Sequence, residues 1–339
     1  MPIPVRLRPA ALAIRCAEAA LAGGLAAAVS AATFALMSWA ETPAQAASPK
    51  QPAPFSQASR AGPALTASPR SLAHWLAAPP AQYRHQHQHG ACSPHAALTA
   101  ALAPVLRDQT GSLAVGVTDL STGVTASYHP RELFHTASIV KADILATVLL
   151  QAQRQHAGLS PAEQQLATAM IEESDNDAAS ALWNTIGAAP GLAAADRVLG
   201  LRYTEPGPGG LWGLTATTVT DQLRLLAALT SRHSPLTAAA RRYELTLMRS
   251  VADGQNWGVT AAADPGSRPA VKNGWLPDAP SGWWVINSIG VLRHDGQRLL
   301  VAVLSSGQPT QATGISQVQA TARAAAASIT RTACPAGAG

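Results

Sequence analysis

The order of two hydrophobic patterns along the chain most constrains its fold. Apolar residues at strand-like spacing fall near both ends of the region after residue 91, at 112–118, 124–128, 270–273, 283–292 and 299–305. Between these segments, apolar residues spaced three and four apart predict several helices, and further helices are predicted at 94–106 and 316–330. If the five extended segments form one sheet, the two terminal helices cover one of its faces. The middle helices then form a second lobe, and a cleft between the lobes is where a ligand site is expected.

The first 46 residues predict an export signal or a membrane anchor. Three arginines within the first 15 residues precede an apolar stretch over 17–40, and Ala44 and Ala46 form an A-x-A cleavage site. The apolar stretch is also long enough to span a bilayer, so an uncleaved anchor is the alternative. Either interpretation predicts a secreted or otherwise extracytoplasmic protein, which contacts a membrane only through this N-terminus.

Residues 47–90 predict a disordered linker in front of a folded domain over 91–336. The segment is rich in Pro, Ala, Ser and Gln and has no sustained apolar period. Histidines alternate along 83–89, and such tracts can bind metal. Because a flexible tract offers no outer shell of groups to orient its ligands, we assign no metal to it.

Two cysteines flank the predicted domain. Cys16 falls in the N-terminal segment, which leaves Cys92 and Cys334. An even pair in an exported protein predicts a disulfide that clasps the first and last helices, with two free thiols as the alternative. In the chain-entropy model, a bond that closes so long a loop stabilises the fold by about 4–5 kcal/mol.

Three short motifs carry the candidate chemistry: Ser-Ile-Val-Lys at 138–141, Ser-Asp-Asn at 174–176 and Lys-Asn-Gly at 272–274. Residues three apart share one face of a helix, so the amine of Lys141 is expected to hydrogen-bond the hydroxyl of Ser138. Serine becomes a nucleophile when such a base takes its proton. Gly274 allows a ligand backbone to approach the strand, and the N–H groups of Ser138 and Trp275 are expected to form an oxyanion hole.

Lysine usage supports these motifs independently. The chain has 24 basic residues and only three are lysine, namely Lys50, Lys141 and Lys272. The two lysines of the predicted domain therefore both fall in motifs. A buried lysine can lose its proton, whereas arginine stays charged. The formal net charge of +5 comes without any basic run interleaved with aromatic residues, so nucleic acid is not expected as a partner.

Taken together, the motifs resemble those of the class A β-lactamase and penicillin-binding-protein superfamily over about residues 92–336. This resemblance implies an α+β fold, an αβα sandwich whose antiparallel five-stranded sheet is flanked by the terminal helices and accompanied by an all-helical lobe. It also implies that Ser138 is acylated, that Lys141 is the base and that Ser174 relays a proton to the leaving nitrogen. Asn176 would position the substrate amide, and Lys272 would help to hold the substrate carboxylate and tune Ser174.

The sequence departs from the family pattern at three points. Asn273 stands where the family has a hydroxyl residue, and its amide is expected to contact the substrate instead. The second motif begins 36 residues after Ser138, a gap that is short for class A enzymes. The family's E-x-x-L-N loop, whose glutamate activates the deacylating water, is missing. Without it the acyl-enzyme is expected to persist, unless Glu205 substitutes as the base.

The resemblance implies a serine hydrolase that forms an acyl-enzyme and hydrolyses β-lactam amide bonds. One alternative is a D-alanyl-D-alanine peptidase, or penicillin-binding protein, with slow deacylation, and another is a non-catalytic cell-wall-associated binding module. The expected partner is a β-lactam or a peptidoglycan-derived D-alanyl peptide. We expect a monomer that needs neither a cofactor nor a metal.

Overall fold

The computed structural model describes residues 93–278 and 281–330. The predicted export signal, the linker with its histidine tract, and both Cys92 and Cys334 lie outside the described residues. These features therefore stay predictions. Within the described part of the chain, no helix combines the length and the apolar character needed to cross a membrane.

Helices and strands follow the predicted order of strands, helices and strands again. In chain order the described elements are α1 (Pro94–Arg107), β1 (Ser112–Asp119), β2 (Thr125–Tyr128), β3 (Phe134–His135), α2 (Val140–Arg154), α3 (Pro161–Glu172), α4 (Asn176–Thr185), α5 (Ala188–Leu199), β4 (Ala216–Thr217), α6 (Val219–Thr230), α7 (Ala238–Arg249), β5 (Ala270–Asp278), β6 (Trp283–His294), β7 (Gln297–Gln308) and α8 (Gln311–Thr330).

Five strands form one antiparallel sheet in the order β2-β1-β7-β6-β5, which confirms the predicted fold class. Asp295 and Gly296 connect β6 to β7, and both adopt positive φ angles (49° and 74°). A two-residue turn of this kind matches the twist of the strands that it joins. β5 is the edge strand opposite to β2, and its outer edge lies against the turn that precedes α2.

Alternating side chains of the central strand β7 separate the core into two layers. Leu299, Val301 and Val303 pack in the cluster that includes the apolar faces of α1 and α8. The intervening side chains, at 300, 302 and 304, pack in the cluster formed mainly by α2, α6 and the rest of the helical lobe. Because strand residues alternate between faces, one apolar strand can hold both layers together.

Two element boundaries near the candidate site differ from the sequence prediction. The strand predicted to end at Asn273 continues to Asp278, because β5 pairs with β6 as far as Trp283. Pro277 is tolerated there since an edge strand leaves some of its N–H positions unpaired. The helix predicted to start at Ser138 starts at Val140, after a 3-10 turn over Ala137–Ile139.

The helical lobe buries three carboxyl groups, and two of them, Asp143 and Asp196, share a hydrogen bond. Asp143, Asp196 and Glu244 come from α2, α5 and α7, respectively. Burial raises the pKa of Asp143, and burial together with the charge of Asp143 raises the pKa values of Asp196 and Glu244. By contrast, the buried Asp221 accepts hydrogen bonds from Tyr203 N and from the guanidinium of Arg224. Burial therefore shifts the first three groups toward their protonated, neutral form.

These raised pKa values predict that the free energy of unfolding falls as pH rises. In the unfolded chain the same carboxyls lose their protons near pH 4, so the folded state binds more protons from about pH 4 up to its raised pKa values. Asp143→Asn should make this fall shallower between about pH 5 and about pH 7, measured by urea denaturation. Asp253→Asn, at an exposed carboxyl, should leave it unchanged. Equal slopes for the wild type and Asp143→Asn would contradict the prediction.

Candidate active site

Ser138 lies at the junction between the small β3–β4 sheet and α2. It sits half-buried in the 3-10 turn Ala137–Ile139. The preceding Ala137 has a φ of 48°, in the left-handed region that residues other than glycine rarely adopt. Such a residue costs of the order of 1–3 kcal/mol unless its surroundings enforce the geometry.

Asn287 in the middle of β6 holds the backbone just before Ser138. Its Nδ2 donates to the carbonyl oxygens of His135 at 2.8 Å and Thr136 at 3.0 Å, and its Oδ1 accepts from Ser305 N at 3.1 Å. One buried amide thus ties the predicted nucleophile segment, residues 135–139, to two strands of the main sheet. Sequence reasoning missed this residue, although a polar residue in an apolar run of strand residues was a usable signal.

Lys141, in the first turn of α2, is buried and binds the second motif. Its Nζ donates to Ser174 O at 2.5 Å, to Asn176 Oδ1 at 2.8 Å and to Ser174 Oγ at 3.2 Å. The predicted hydrogen bond from this amine to Ser138 is absent from the described residues. The physical reason is that an ammonium group has three hydrogens, and these three acceptors take all of them.

The environment of Lys141 makes loss of its proton easier than for an exposed lysine. Burial lowers the pKa of Lys141 to about 8, although the charge of Asp175 acts in the opposite direction. The amine lies 4.9 Å from the ring centroid of Trp212, which closes one side of its surroundings. A lysine of this kind can exist as a free amine at moderately alkaline pH, as a general base requires.

Ser174 lies in the turn between α3 and α4 with a φ of 57°. The side chain of Asp175 accepts from Ala178 N at 2.7 Å and so caps α4 immediately after this turn. Asn176, at the start of α4, lines the cleft beside Ser138. Because Asn176 Oδ1 accepts from Lys141, the Nδ2 donors of this side chain are the ones left for a ligand.

Lys272 on β5 reaches the same hydroxyl from the opposite side. Its Nζ donates to Ser174 Oγ at 2.9 Å and to Asn273 O at 3.2 Å, and the residue is 1% exposed. Burial, and then the nearby charge of Lys141, hold the pKa of Lys272 well below its usual value. The first, second and third motifs therefore meet at one oxygen atom.

Gly274 brings β5 into contact with the nucleophile segment. A Cβ at this position would lie 2.7 Å from both Ser138 N and Thr136 O, so only glycine allows the strand to come this close. Trp275, the next residue on β5, lines the cleft together with Ser138. The backbone around Ser138 and the edge strand thus lie side by side, as the predicted oxyanion hole requires.

The side chain of Asn273 lies away from the cleft, and this corrects the predicted substrate contact. Its Nδ2 donates to Gln255 O at 2.7 Å and to Trp257 O at 3.1 Å. Strand alternation puts this side chain on the face opposite to Lys272, against the loop before Gly258. Both donors of the amide are therefore used to hold that loop.

The cleft between the lobes has a volume of about 660 Å³. No Asp, Glu, Lys or Arg lines it, and His135 is its one titratable lining residue within the described chain. Glu205, the substitute base considered from sequence, is an exposed residue whose backbone pairs with Ala216, and it does not line the cleft.

Trp212 occupies the wall of the cleft nearest to Lys141. Its Nε1 donates to Ser180 Oγ at 3.2 Å, which fixes the ring across the cleft from β5. Sequence reasoning missed this residue, because nothing in a glycine-rich and proline-rich segment reveals which side chain turns inward.

The sheet, the helical lobe and the three motifs at their junction define a protein with the serine β-lactamase type of fold. A family model described as the β-lactamase enzyme family matches residues 97–164 and 153–334. The chain therefore belongs to this family, which confirms the resemblance stated from the motifs.

Relatives and solved structures agree with this assignment. LppW of Mycobacterium tuberculosis and of Mycobacterium bovis, named as a lipoprotein, is 31% identical over 235 residues, which cover 67% of this chain and 70% of LppW. A class A β-lactamase from Bacteroides cellulosilyticus superposes with a TM-score of 0.62 at 16% identity, over 70% of this chain and 98% of that one. The penicillin-binding protein PBP-A gives 0.60 at 19% identity, over 69% and 96%. At such identities these structures support the fold alone.

Substitution of Gly274 tests the contact between β5 and the nucleophile segment. In Gly274→Ala the new methyl group must push Ser138 N and Thr136 O away, which displaces one of the two donors predicted for the oxyanion hole. Loss of one such donor typically slows acyl transfer about 10²- to 10³-fold. We expect a loss of this size in the rate at which benzylpenicillin labels the protein, measured by intact mass. Gly254→Ala, where a Cβ meets nothing within 4 Å, serves as the control and should react like the wild type.

Proposed function

We propose that this protein is a serine acyl-hydrolase in which Ser138 takes the acyl group of a β-lactam or a D-alanyl peptide. The observation that carries the proposal is the buried amine of Lys141, whose pKa is lowered to about 8 and which shares Ser174 Oγ with Lys272. A purely structural lysine has no need of a hydroxyl shared with a second buried lysine beside a cleft.

In the proposed reaction, neutral Lys141 takes the proton of Ser138 as the serine oxygen attacks the carbonyl carbon. The N–H groups of Ser138 and Trp275 stabilise the oxyanion. When the C–N bond breaks, Ser174 gives its hydroxyl proton to the leaving nitrogen and recovers a proton from Lys141. The product is an ester on Ser138 and a free amine, and Lys141 returns to its neutral form.

Substrate positioning falls to Asn176, whose amide donors are available at the cleft. Lys272 keeps the Ser174 hydroxyl in place with an N–H donor on the side opposite to Lys141. Because its amine is enclosed, Lys272 is better placed to hold Ser174 than to contact a substrate carboxylate directly, which is the role implied by the family resemblance.

Slow release of the acyl group follows from the cleft lining. No carboxylate lines the cleft in the described chain, and the indole of Trp212 stands close to Lys141. A deacylating water needs a base within hydrogen-bond reach. Among the candidate functions, a penicillin-binding enzyme with a long-lived acyl-enzyme therefore fits better than an efficient β-lactamase. A binding module without catalysis leaves the two buried lysines unexplained.

An extracytoplasmic site of action accords with this proposal. The N-terminal 46 residues predict export, and LppW, the mycobacterial relative, is named as a lipoprotein. β-Lactams and peptidoglycan fragments are both encountered outside the cytoplasm.

Intact-mass spectrometry after short and long exposure to benzylpenicillin tests the proposal. We expect one covalent adduct per chain, absent in Ser138→Ala, which outlasts removal of the free drug. Rapid loss of the adduct with steady drug hydrolysis would instead identify a β-lactamase. Absence of any adduct, with the protein correctly folded, would overturn the proposed chemistry.

The pH dependence of acylation tests the role of Lys141. Because only the neutral amine accepts a proton, the rate of adduct formation should rise with pH through the pKa of Lys141, about 8. Lys141→Arg keeps the charge but cannot supply a neutral amine, so its rate should fall by at least about 10²-fold and lose this pH profile. An unchanged profile in Lys141→Arg would contradict the assignment, provided that circular dichroism confirms the fold.

A further inference from the structure

The indole ring of Trp212 covers the amine of Lys141 on the side of the cleft. We infer that this ring is a shield that keeps attacking nucleophiles away from the ester on Ser138 and so prolongs the life of the acyl-enzyme, an inference that rests on the proposed acyl-serine function. Lack of a carboxylate base and lack of access are two separate barriers to deacylation. The second barrier can be removed without adding a base.

The first observation is the position of the ring. The Nζ atom of Lys141 lies over the ring of Trp212, 4.9 Å from its centroid, and Trp212 lines the cleft together with Ser138. In the proposed reaction Lys141 is neutral again once the ester has formed, so it could accept a proton from an incoming water. Such a water would have to approach this amine from the cleft, where the ring stands.

The second observation is that the ring is held in place. Trp212 Nε1 donates to Ser180 Oγ at 3.2 Å, and the ring packs partly buried against the core of the helical lobe. The segment that carries the ring is also joined to the backbone before Ser138, because Thr136 N donates to Thr215 O at 2.8 Å. The ring is therefore fixed relative to both Lys141 and Ser138.

The third observation is the chemistry of the indole. Its single N–H group is a donor only, and Ser180 already accepts from it. The face that the ring turns to Lys141 is apolar, so it offers a water molecule neither a base nor a strong hydrogen-bond acceptor. The ring therefore occupies the approach to the amine without replacing its chemistry.

Hydroxylamine distinguishes access from base catalysis, because this neutral nucleophile attacks esters without a general base. Its nitrogen bonds to the carbonyl carbon, the bond from that carbon to Ser138 Oγ breaks, and a proton passes from nitrogen to the serine oxygen. The products are a hydroxamate and free Ser138. The protein is first labelled with benzylpenicillin and freed of excess drug. Loss of the adduct is then followed by intact mass at several hydroxylamine concentrations.

We expect the second-order rate constant for hydroxylamine to rise at least about tenfold in Trp212→Ala. Release by water alone should rise less, because no carboxylate lines the cleft in the described chain. Trp212→Phe keeps a ring beside the amine and should stay within about threefold of the wild type. Trp283→Ala removes a 47% exposed tryptophan that does not line the cleft, and this matched control should react like the wild type. Circular dichroism confirms the fold of each variant.

Equal hydroxylamine rate constants in the wild type and Trp212→Ala would overturn this inference alone. If Trp212→Ala forms no adduct, Ser180→Ala provides the test, because the indole then loses its hydrogen bond. Its rate constant should rise about threefold or more, and an unchanged value would overturn the inference. If the wild type itself forms no adduct, the proposed function fails.

Discussion

The candidate site depends on one hydroxyl that is shared by two buried lysines. Lys141 and Lys272 both donate to Ser174 Oγ, and neither forms a salt bridge in the described part of the chain. Buried cations without a carboxylate partner are costly, and they lower the cost by giving up a proton. The arrangement therefore makes a neutral amine easier to form in the interior of the protein. It can exist only because the fold brings α2, the α3–α4 turn and β5 to one point.

Backbone strain surrounds this point in a consistent way. Ala137 and Ser174 both have positive φ angles, and each adjoins or forms part of a motif. Residues held in such conformations are typical of functional sites, where the surrounding structure enforces them. Here the contacts that enforce the strained backbone are identifiable. Asn287 hydrogen-bonds the backbone before Ser138, and Asp175 caps the helix that follows Ser174. These contacts thus determine where Ser138 and Ser174 lie.

Sequence reasoning succeeded where local patterns determine structure. Hydrophobic periodicity gave the five main strands, and short motifs located Ser138, Ser174 and Lys272, which the fold brings together. Reasoning from sequence failed where the direction in which a side chain points decides its contact. Helical spacing placed Lys141 near Ser138, but competition among acceptors sends its amine to the second motif. The hydrogen-bond partners of Asn273 depend on which loop packs against that face of β5. Asn287 and Trp212 act through contacts distant in sequence, which no local pattern encodes.

The segment between α5 and β4 bears most directly on the slow deacylation that we propose. It contributes Trp212, whose ring lies 4.9 Å from the amine of Lys141 and lines the cleft. An indole cannot activate water, and no carboxylate lines the cleft in the described part of the chain. The proposed acylation and deacylation thus depend on different parts of the fold. Acylation depends on the meeting of α2, the α3–α4 turn and β5, whereas deacylation depends on a wall that offers no carboxylate to a water molecule.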